Sequence, residues 1–353
     1  MSSPRDEERP MGAHDSSVTA RSLMKALGIT EFCSTAGITE IAINRPGEIW
    51  TESRHGWQRH ERPEVTLDRL EKFANSITIF SKARPPLSVA APIKPVRFPD
   101  GQRGQVAIPP ACEPGTVSLT IRIPSPVRLT WEDYERSGLL DGYVDVSPNM
   151  VVPEGVTLDK HELELLDAKQ ERDLKRFFDL VIQHKLNVLL VGGTGSGKTT
   201  LMKMLADLVP SDVRLCSIED TPELPLPKQP NHVHLFYSDD LPAKELVKST
   251  LRMKFDRVYL AELRGDEAWD YLVLLNTGHQ GGITTVHAND CVSAFARIAD
   301  LIKQSPVGAT MDWRDCLRRV QTTIDAVLFM DHHRLVQLYY DPVSKWKLQR
   351  GLA

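Results

Sequence analysis

Gly192–Thr200 reads Gly-Gly-Thr-Gly-Ser-Gly-Lys-Thr-Thr, and this spacing of glycines, lysine and hydroxyls suits one chemistry, the gripping of a triphosphate. Glycines let successive backbone N–H groups curl around anionic oxygens, and a following helix aims its positive end at them. Gly193, Thr194, Gly195, Ser196, Gly197, Lys198, Thr199 and Thr200 are therefore the expected phosphate-binding set. Lys198 can reach the β- and γ-phosphates of a nucleoside triphosphate, and the Thr199 hydroxyl can ligate Mg²⁺. The flanks agree. Asn187–Val191 is a short apolar strand, and Leu201–Leu208 has the apolar spacing of a helix.

A phosphate loop states what is bound and leaves open what is done with it. Cys216–Asp220 closes an apolar strand with the acids Glu219 and Asp220. Ligands of open α/β sheets lie beyond the carboxyl ends of the strands, so this pair is expected to face the phosphates and a metal's water shell. Arg257–Glu262 is a second apolar strand ending in a carboxylate. Ala261 stands where many such proteins carry Asp, which leaves Glu262 as the acid able to orient attacking water. The alternative for Glu262 is a structural ion pair with Arg264. Asn276–Ala288 sets His279 and His287 on either side of a glycine-rich turn and a short strand. His287, at the strand's end, is placed to sense the γ-phosphate through a hydrogen bond. Arg103 and Arg122 lie far away on proline-rich strands and, taken alone, read as surface arginines.

The elements that must position these groups divide the chain. At 353 residues it exceeds one typical core and calls for two domains. Residues 1–17 read as a disordered lead, 18–140 as a small α+β domain, 141–158 as a linker and 159–353 as a phosphate-loop domain. In the first domain, Ile38–Asn44 alternates like a strand, and Arg45-Pro46-Gly47-Glu48 turns it into a return strand at Glu48–Glu52. Leu67–Ile79 has helical spacing with Thr66 as its cap, and the prolines of 85–126 restrict that stretch to short strands and turns. Glycines and prolines mark 141–156 as the linker. Asp159–Gln183 then reads as one helix, after which strands alternate with helices, as in an α/β fold with a mostly parallel, helix-covered sheet.

Composition excludes several classes. A net charge of −4 gives no global argument for nucleic-acid binding. Five cysteines without C-x-x-C spacing exclude a short-range zinc ribbon and suit reduced thiols in the cytoplasm. No apolar run approaches the roughly 20 residues of a membrane span, so no transmembrane segment is expected.

Taken together these segments resemble the traffic ATPases of type IV secretion and conjugation systems, the VirB-type branch of the secretion ATPase superfamily. The resemblance covers about Ile38 to Asp331. It rests on Ile38–Glu48, on Pro109–Glu113 and Thr120–Ser125, and on the acidic box Ile218–Leu224. It rests further on the Walker B region Ala261–Ala268 and on the histidine box, Thr277–Gly282 with Thr285–Ala288. Gln280 replaces a proline and Gly282 a small hydroxyl residue often found in that box, and Phe255 stands where a proline often precedes the acid Asp256. These departures touch local backbone shape and leave the chemical groups intact.

The resemblance implies a RecA-like ATPase domain in a homohexamer, cytoplasmic and peripheral to the bacterial inner membrane. It implies partners in the inner-membrane part of a secretion channel and a transported substrate that is DNA, protein or pilin. It also implies that Arg103 and Arg122 face the phosphates from the N-terminal domain, with Glu262, Glu219 and His287 completing the catalytic set around ATP and Mg²⁺. Residues 141–155 are the expected hinge. The alternatives are a type II secretion or type IV pilus motor, a nucleic-acid-dependent phosphate-loop ATPase, and a scaffold that binds ATP without turnover.

Overall fold

The computed structural model describes residues 16–53, 55–124, 127–238 and 240–352, and the chain divides into two compact units between residues 126 and 127. The first unit runs α1 (Ser16–Ala26), α2 (Ile29–Cys33), β1 (Ile38–Ile43), β2 (Glu48–Ser53), β3 (Gly56–Glu61), α3 (Leu67–Phe80), β4 (Ile93–Arg97), β5 (Arg103–Ala107) and β6 (Ser118–Arg122). Its six strands form one antiparallel sheet in the order β3-β2-β1-β6-β5-β4. Alternation along the strands turns Ile41, Ile43, Val106, Leu119 and Ile121 into a common core. Helix α3 answers with Leu70, Phe73, Ala74 and Ile77, spaced three and four apart on one face. Its first turn is closed by the Thr66 hydroxyl, which accepts from Arg69 N at 3.4 Å.

The second unit begins with α4 (Trp131–Ser137), β7 (Val144–Asp145), α5 (Lys160–Gln170), α6 (Leu174–Gln183), β8 (Val188–Val191) and α7 (Lys198–Asp207). It continues through β9 (Leu215–Glu219), β10 (His232–Phe236), α8 (Ala243–Thr250), β11 (Arg257–Leu260), α9 (Glu267–Leu275), β12 (Ile283–Val286) and α10 (Cys291–Ile302). The last elements are α11 (Pro306–Thr310), α12 (Trp313–Thr323), β13 (Ala326–Asp331), β14 (Arg334–Tyr340) and α13 (Pro342–Gln349). Eight strands form a mixed sheet, β10-β9-β11-β12-β8-β13-β14-β7, in which β13–β14 is an antiparallel hairpin and the other neighbours are parallel. The central strands are apolar throughout because both faces are covered. Val188 and Leu190 pack with α5, α6 and α7 on one face, while Leu189 and Val191 pack with α8, α9, α10 and α12 on the other.

Several expectations change. The lead read as disordered lies outside the described residues apart from Ser16 and Ser17, which open α1. Asp159–Gln183 is two helices, broken where Arg172 takes a φ of 60°. The segment read as a linker and hinge, 141–158, is woven into the second unit. Val144–Asp145 pairs with β14, and the buried Lys169 ammonium bridges Asp145 Oδ2 at 2.9 Å and donates to Ser147 Oγ at 3.0 Å. Asn149 Nδ2 donates to Asp341 Oδ2 at 2.8 Å. Glycines and prolines here shape turns against a core, and the unit boundary lies upstream. The reading also missed β3 and β4, both strands with mostly exposed side chains that carry little apolar signal.

Asn187, just before β8, ties three segments together. Its Oδ1 accepts from Gly281 N at 3.0 Å and Gly282 N at 3.2 Å, and its Nδ2 donates to Thr323 O at 2.9 Å. Removing the amide strands buried donors and an acceptor. Asn187→Ala is therefore expected to lower unfolding free energy by about 3 kcal/mol or more in a denaturant titration, at about one to three for each of the three orphaned groups.

Candidate active site

Parallel pairing fixes where the functional segments emerge. β8 pairs with β12 so that Val191 lies beside Val286, and β9 and β11 continue the row on the β12 side. The phosphate loop, His287, Glu262 and Asp220 each follow the carboxyl end of one of these four neighbouring strands.

The loop itself is shaped from below. Gly192 takes a φ of 147°, and a Cβ there would stand 2.2 Å from Met330 O, so only glycine fits. Gly197 caps α7 with a φ of 97°. Lys198 opens α7 and is buried. Its Nζ donates to Gly192 O at 2.8 Å and Gly193 O at 2.6 Å, which holds the ammonium inside the curl of the loop. Thr199 and Thr200 follow, half-exposed, in the first helical turn, while Gly193, Thr194 and Gly195 form the exposed rim and Ser196 is buried.

Glu262 is the hub on the neighbouring strand end. Its Oε2 accepts from Arg264 Nη2 at 2.7 Å, and its Oε1 lies 3.2 Å from His287 Nε2. Arg264 spans to Asp220 Oδ2 at 3.0 Å, so two carboxylates share one guanidinium. The Glu262 carboxylate raises the pKa of Arg264 further. Burial and then the Lys198 charge push the His287 imidazole below its ordinary range, and Glu262 pulls the other way. A lowered value keeps His287 neutral at neutral pH. The structural ion pair with Arg264 is thus formed, and the same carboxylate also faces His287.

Glu219 has a different setting. It is fully buried, and its Oε1 accepts from Ser217 Oγ at 2.5 Å with His234 Nδ1 at 3.4 Å. Its Oε2 accepts from Glu223 N and Leu224 N, each at 2.8 Å. Burial raises its pKa, but the bonds from His234, Ser217 and the two amides outweigh that and leave it lowered. Glu219 therefore folds the acidic turn 219–224. Neither Ser217 nor His234 was foreseen, because their meeting depends on cross-strand register. Arg128 was missed for a similar reason. Its Nε donates to Asp207 Oδ2 at 2.7 Å and its Nη1 to Pro225 O at 3.0 Å, fixing the far end of α7 to the acidic turn.

Two histidines bracketed β12 in sequence, and the strand puts them at opposite poles. His287 joins the site. His279 precedes the strand at its amino end, beyond Gly281 and Gly282, whose amides bind Asn187. Arg103 and Arg122 lie in the first unit as direct cross-strand partners on β5 and β6. Glu40, opposite Arg122 on β1, lies 3.9 Å from its guanidinium. Like charges placed side by side destabilise a strand pair unless an anion offsets them.

A glycine-rich loop gripping a lysine at the head of a helix, with a carboxylate and an imidazole on the adjacent parallel strands, defines a phosphate-loop nucleoside triphosphatase. The family model for type II/IV secretion system proteins matches residues 149–336. The chain is 37% identical over 328 residues to the type IV secretion system protein VirB11 of Brucella suis, covering 87% of each chain. It is 36% identical over 342 residues to VirB11 of Bartonella henselae, covering 93% of this chain and 95% of that one. The crystal structure of the Brucella suis VirB11 ATPase with sulphate superposes with a TM-score of 0.53 and 35% identity over 95% of this chain and 98% of that one. The pilus retraction motor PilT with bound ADP, at a TM-score of 0.57 and 16% identity over 92% of this chain and 87% of that one, shares the fold. The chain belongs to the type II/IV secretion system protein family, and it is an ATPase of the type IV secretion class.

The lowered Glu219 pKa sets a pH test. The unfolded carboxyl, near its ordinary 4.5, takes up its proton at higher pH than the folded one, so the stabilisation is present above that value and is lost as pH falls. Glu219→Gln is expected to be less stable than the parent at neutral pH by about 1–3 kcal/mol. In urea titrations that gap should narrow steadily below the ordinary value.

Proposed function

We propose that this ATPase hydrolyses MgATP at the carboxyl ends of β8, β12, β11 and β9, as one protomer of a homohexameric, RecA-like motor. The observation that carries the reading is the convergence of Lys198, Glu262 and His287 from three separate segments on one loop. Lys198 and the loop amides from Gly193 to Thr200 take the phosphates, with the Lys198 ammonium turning from Gly192 O and Gly193 O to phosphate oxygens of the same charge preference.

The donor set near the loop suits Mg²⁺: a hydroxyl at Thr199 and carboxylates at Asp220 and Glu262, all hard oxygens. When bound, the ion would supply neutralisation of phosphate charge. Thr199 would hold it directly. Glu219 enters this reading indirectly, as the buried carboxylate that fixes the turn presenting Asp220, since its own oxygens already accept from Ser217, Glu223 and Leu224.

Glu262 orients the attacking water. Arg264 and His287 hold its carboxylate in place, and the neutral imidazole reports γ-phosphate occupancy through its position beside Lys198 and Gly192. Arg103 and Arg122 supply guanidinium forks to the developing phosphate charge. Export through a type IV secretion channel, with DNA, protein or pilin as cargo and docking at the inner-membrane face, is part of this proposal, and similarity to type IV secretion system proteins supports it. Among the described residues no helix is long and apolar enough to cross a membrane, and docking in this reading runs through partner proteins or a surface patch.

Two sets of variants test this. Lys198→Ala should abolish turnover and weaken nucleotide binding, while Glu262→Gln should bind ATP near normally and lose at least about a hundredfold in kcat. A Glu262→Gln enzyme with parental turnover removes that residue from the catalytic set. Arg103→Ala and Arg122→Ala should each lower kcat by about tenfold or more in a phosphate-release assay. Parental rates in both would end the role given to the first unit.

A further inference from the structure

The hairpin of β13 and β14 has a two-residue turn, His332-His333, closed by the pair Asp331 and Arg334. Both turn residues take left-handed backbone, with φ of 45° and 64°. Such turns ordinarily use Asn-Gly or Asp-Gly, because positive φ costs a residue with a side chain. Neither position buries apolar surface, since both histidines are exposed. The unusual backbone instead coincides with a contact. His333 N donates to Ser196 O at 3.0 Å, in the middle of the phosphate loop.

The same hairpin closes on the loop at two further points. Met330 O would stand 2.2 Å from a Cβ on Gly192, and His333 Cα would stand 3.1 Å from a Cβ on Gly197, with its Nδ1 at 3.2 Å. The hairpin thus excludes a side chain at 192 and crowds one at 197. A trans peptide is planar, with its C=O and N–H pointing opposite ways. A donor that fixes Ser196 C=O on the hairpin side therefore fixes Gly197 N–H on the other side. Gly197 caps α7, so that N–H sits at the positive end of the helix, next to Lys198.

We propose that the His332-His333 turn is a positioning element for nucleotide binding, which holds the Ser196–Gly197 peptide so that Gly197 N–H faces a phosphate oxygen. The left-handed turn is what brings the His333 N–H to Ser196 O. The acting group is the backbone amide, and the residue at 333 matters through the backbone conformation it permits. The inference rests on the phosphate-loop reading above and adds to it a segment more than 130 residues downstream, by subtraction of residue numbers.

The test compares His333→Val with His333→Gly in the full chain, using a fluorescent N-methylanthraniloyl-ADP as the probe. Valine resists positive φ and withdraws the donor, whereas glycine accepts that φ and keeps it. His333→Val should bind the probe about tenfold or more weakly, and His333→Gly should restore affinity to within about twofold of the parent. Thermal melts accompany both, so that weakened binding is read only from folded protein. A chain with one glycine inserted after His332, which leaves both strands intact and displaces the donor, makes the same test should His333→Val fail to fold. Parental affinity in both the valine and the inserted chain overturns the proposal, and so does a glycine variant as weak as the valine one. Failure of the parent itself to bind the probe would instead overturn the phosphate-loop reading.

Discussion

Parallel pairing of β8 with β12, Val191 beside Val286, is the constraint on which the site depends. It sets the end of the phosphate-loop strand level with the end of the strand carrying His287. With β11 and β9 next in the row, Glu262 and Asp220 arrive at the same edge. None of these residues is near another in sequence except by that pairing. A one-residue slip of β12 would turn every side chain on the strand to the other face and carry His287 away from Glu262. The covering of both sheet faces, by α5–α7 on one side and α8–α10 with α12 on the other, makes such a slip costly.

Around that edge the charges are arranged in two tiers. At the rim, Arg264 spans Glu262 and Asp220, and burial with the nearby Lys198 ammonium holds His287 below its ordinary range. Beneath the rim, Glu219 is wholly withdrawn from solvent and satisfied by a hydroxyl, an imidazole and two amides. A buried carboxylate with its acceptors filled acts as a rigid node. The two neighbouring acids on one strand end thus perform separate tasks. Glu219 fixes the backbone, and Asp220 faces the guanidinium.

The phosphate loop and the strands that feed it were legible because glycine and lysine spacing is local and buried parallel strands are continuous apolar runs. The same holds for β1, β2 and α3, whose periods of two and near four appear in the chain. What escaped was set by geometry between segments. Ser217 and His234 meet only through the register of β9 and β10, and Arg128 reaches Asp207 across 79 residues. The run 141–158 resembled a linker because turn residues dominate it, yet the buried Lys169–Asp145 pair binds it into the second unit. Periodicity also joined α5 to α6, because apolar spacing carries across Arg172 although its left-handed backbone breaks the helix.

His279 and His287 stand at the two ends of one strand of four residues, roughly 13 Å of chain at the usual rise. β12 pairs along its length with β8 and at Thr284 with β11, and it is buried on both faces. Its amino end is gripped by the Asn187 amide through Gly281 and Gly282. The strand is in effect a fixed pin: the imidazole at its carboxyl end is referenced to the Asn187 anchor at its amino end.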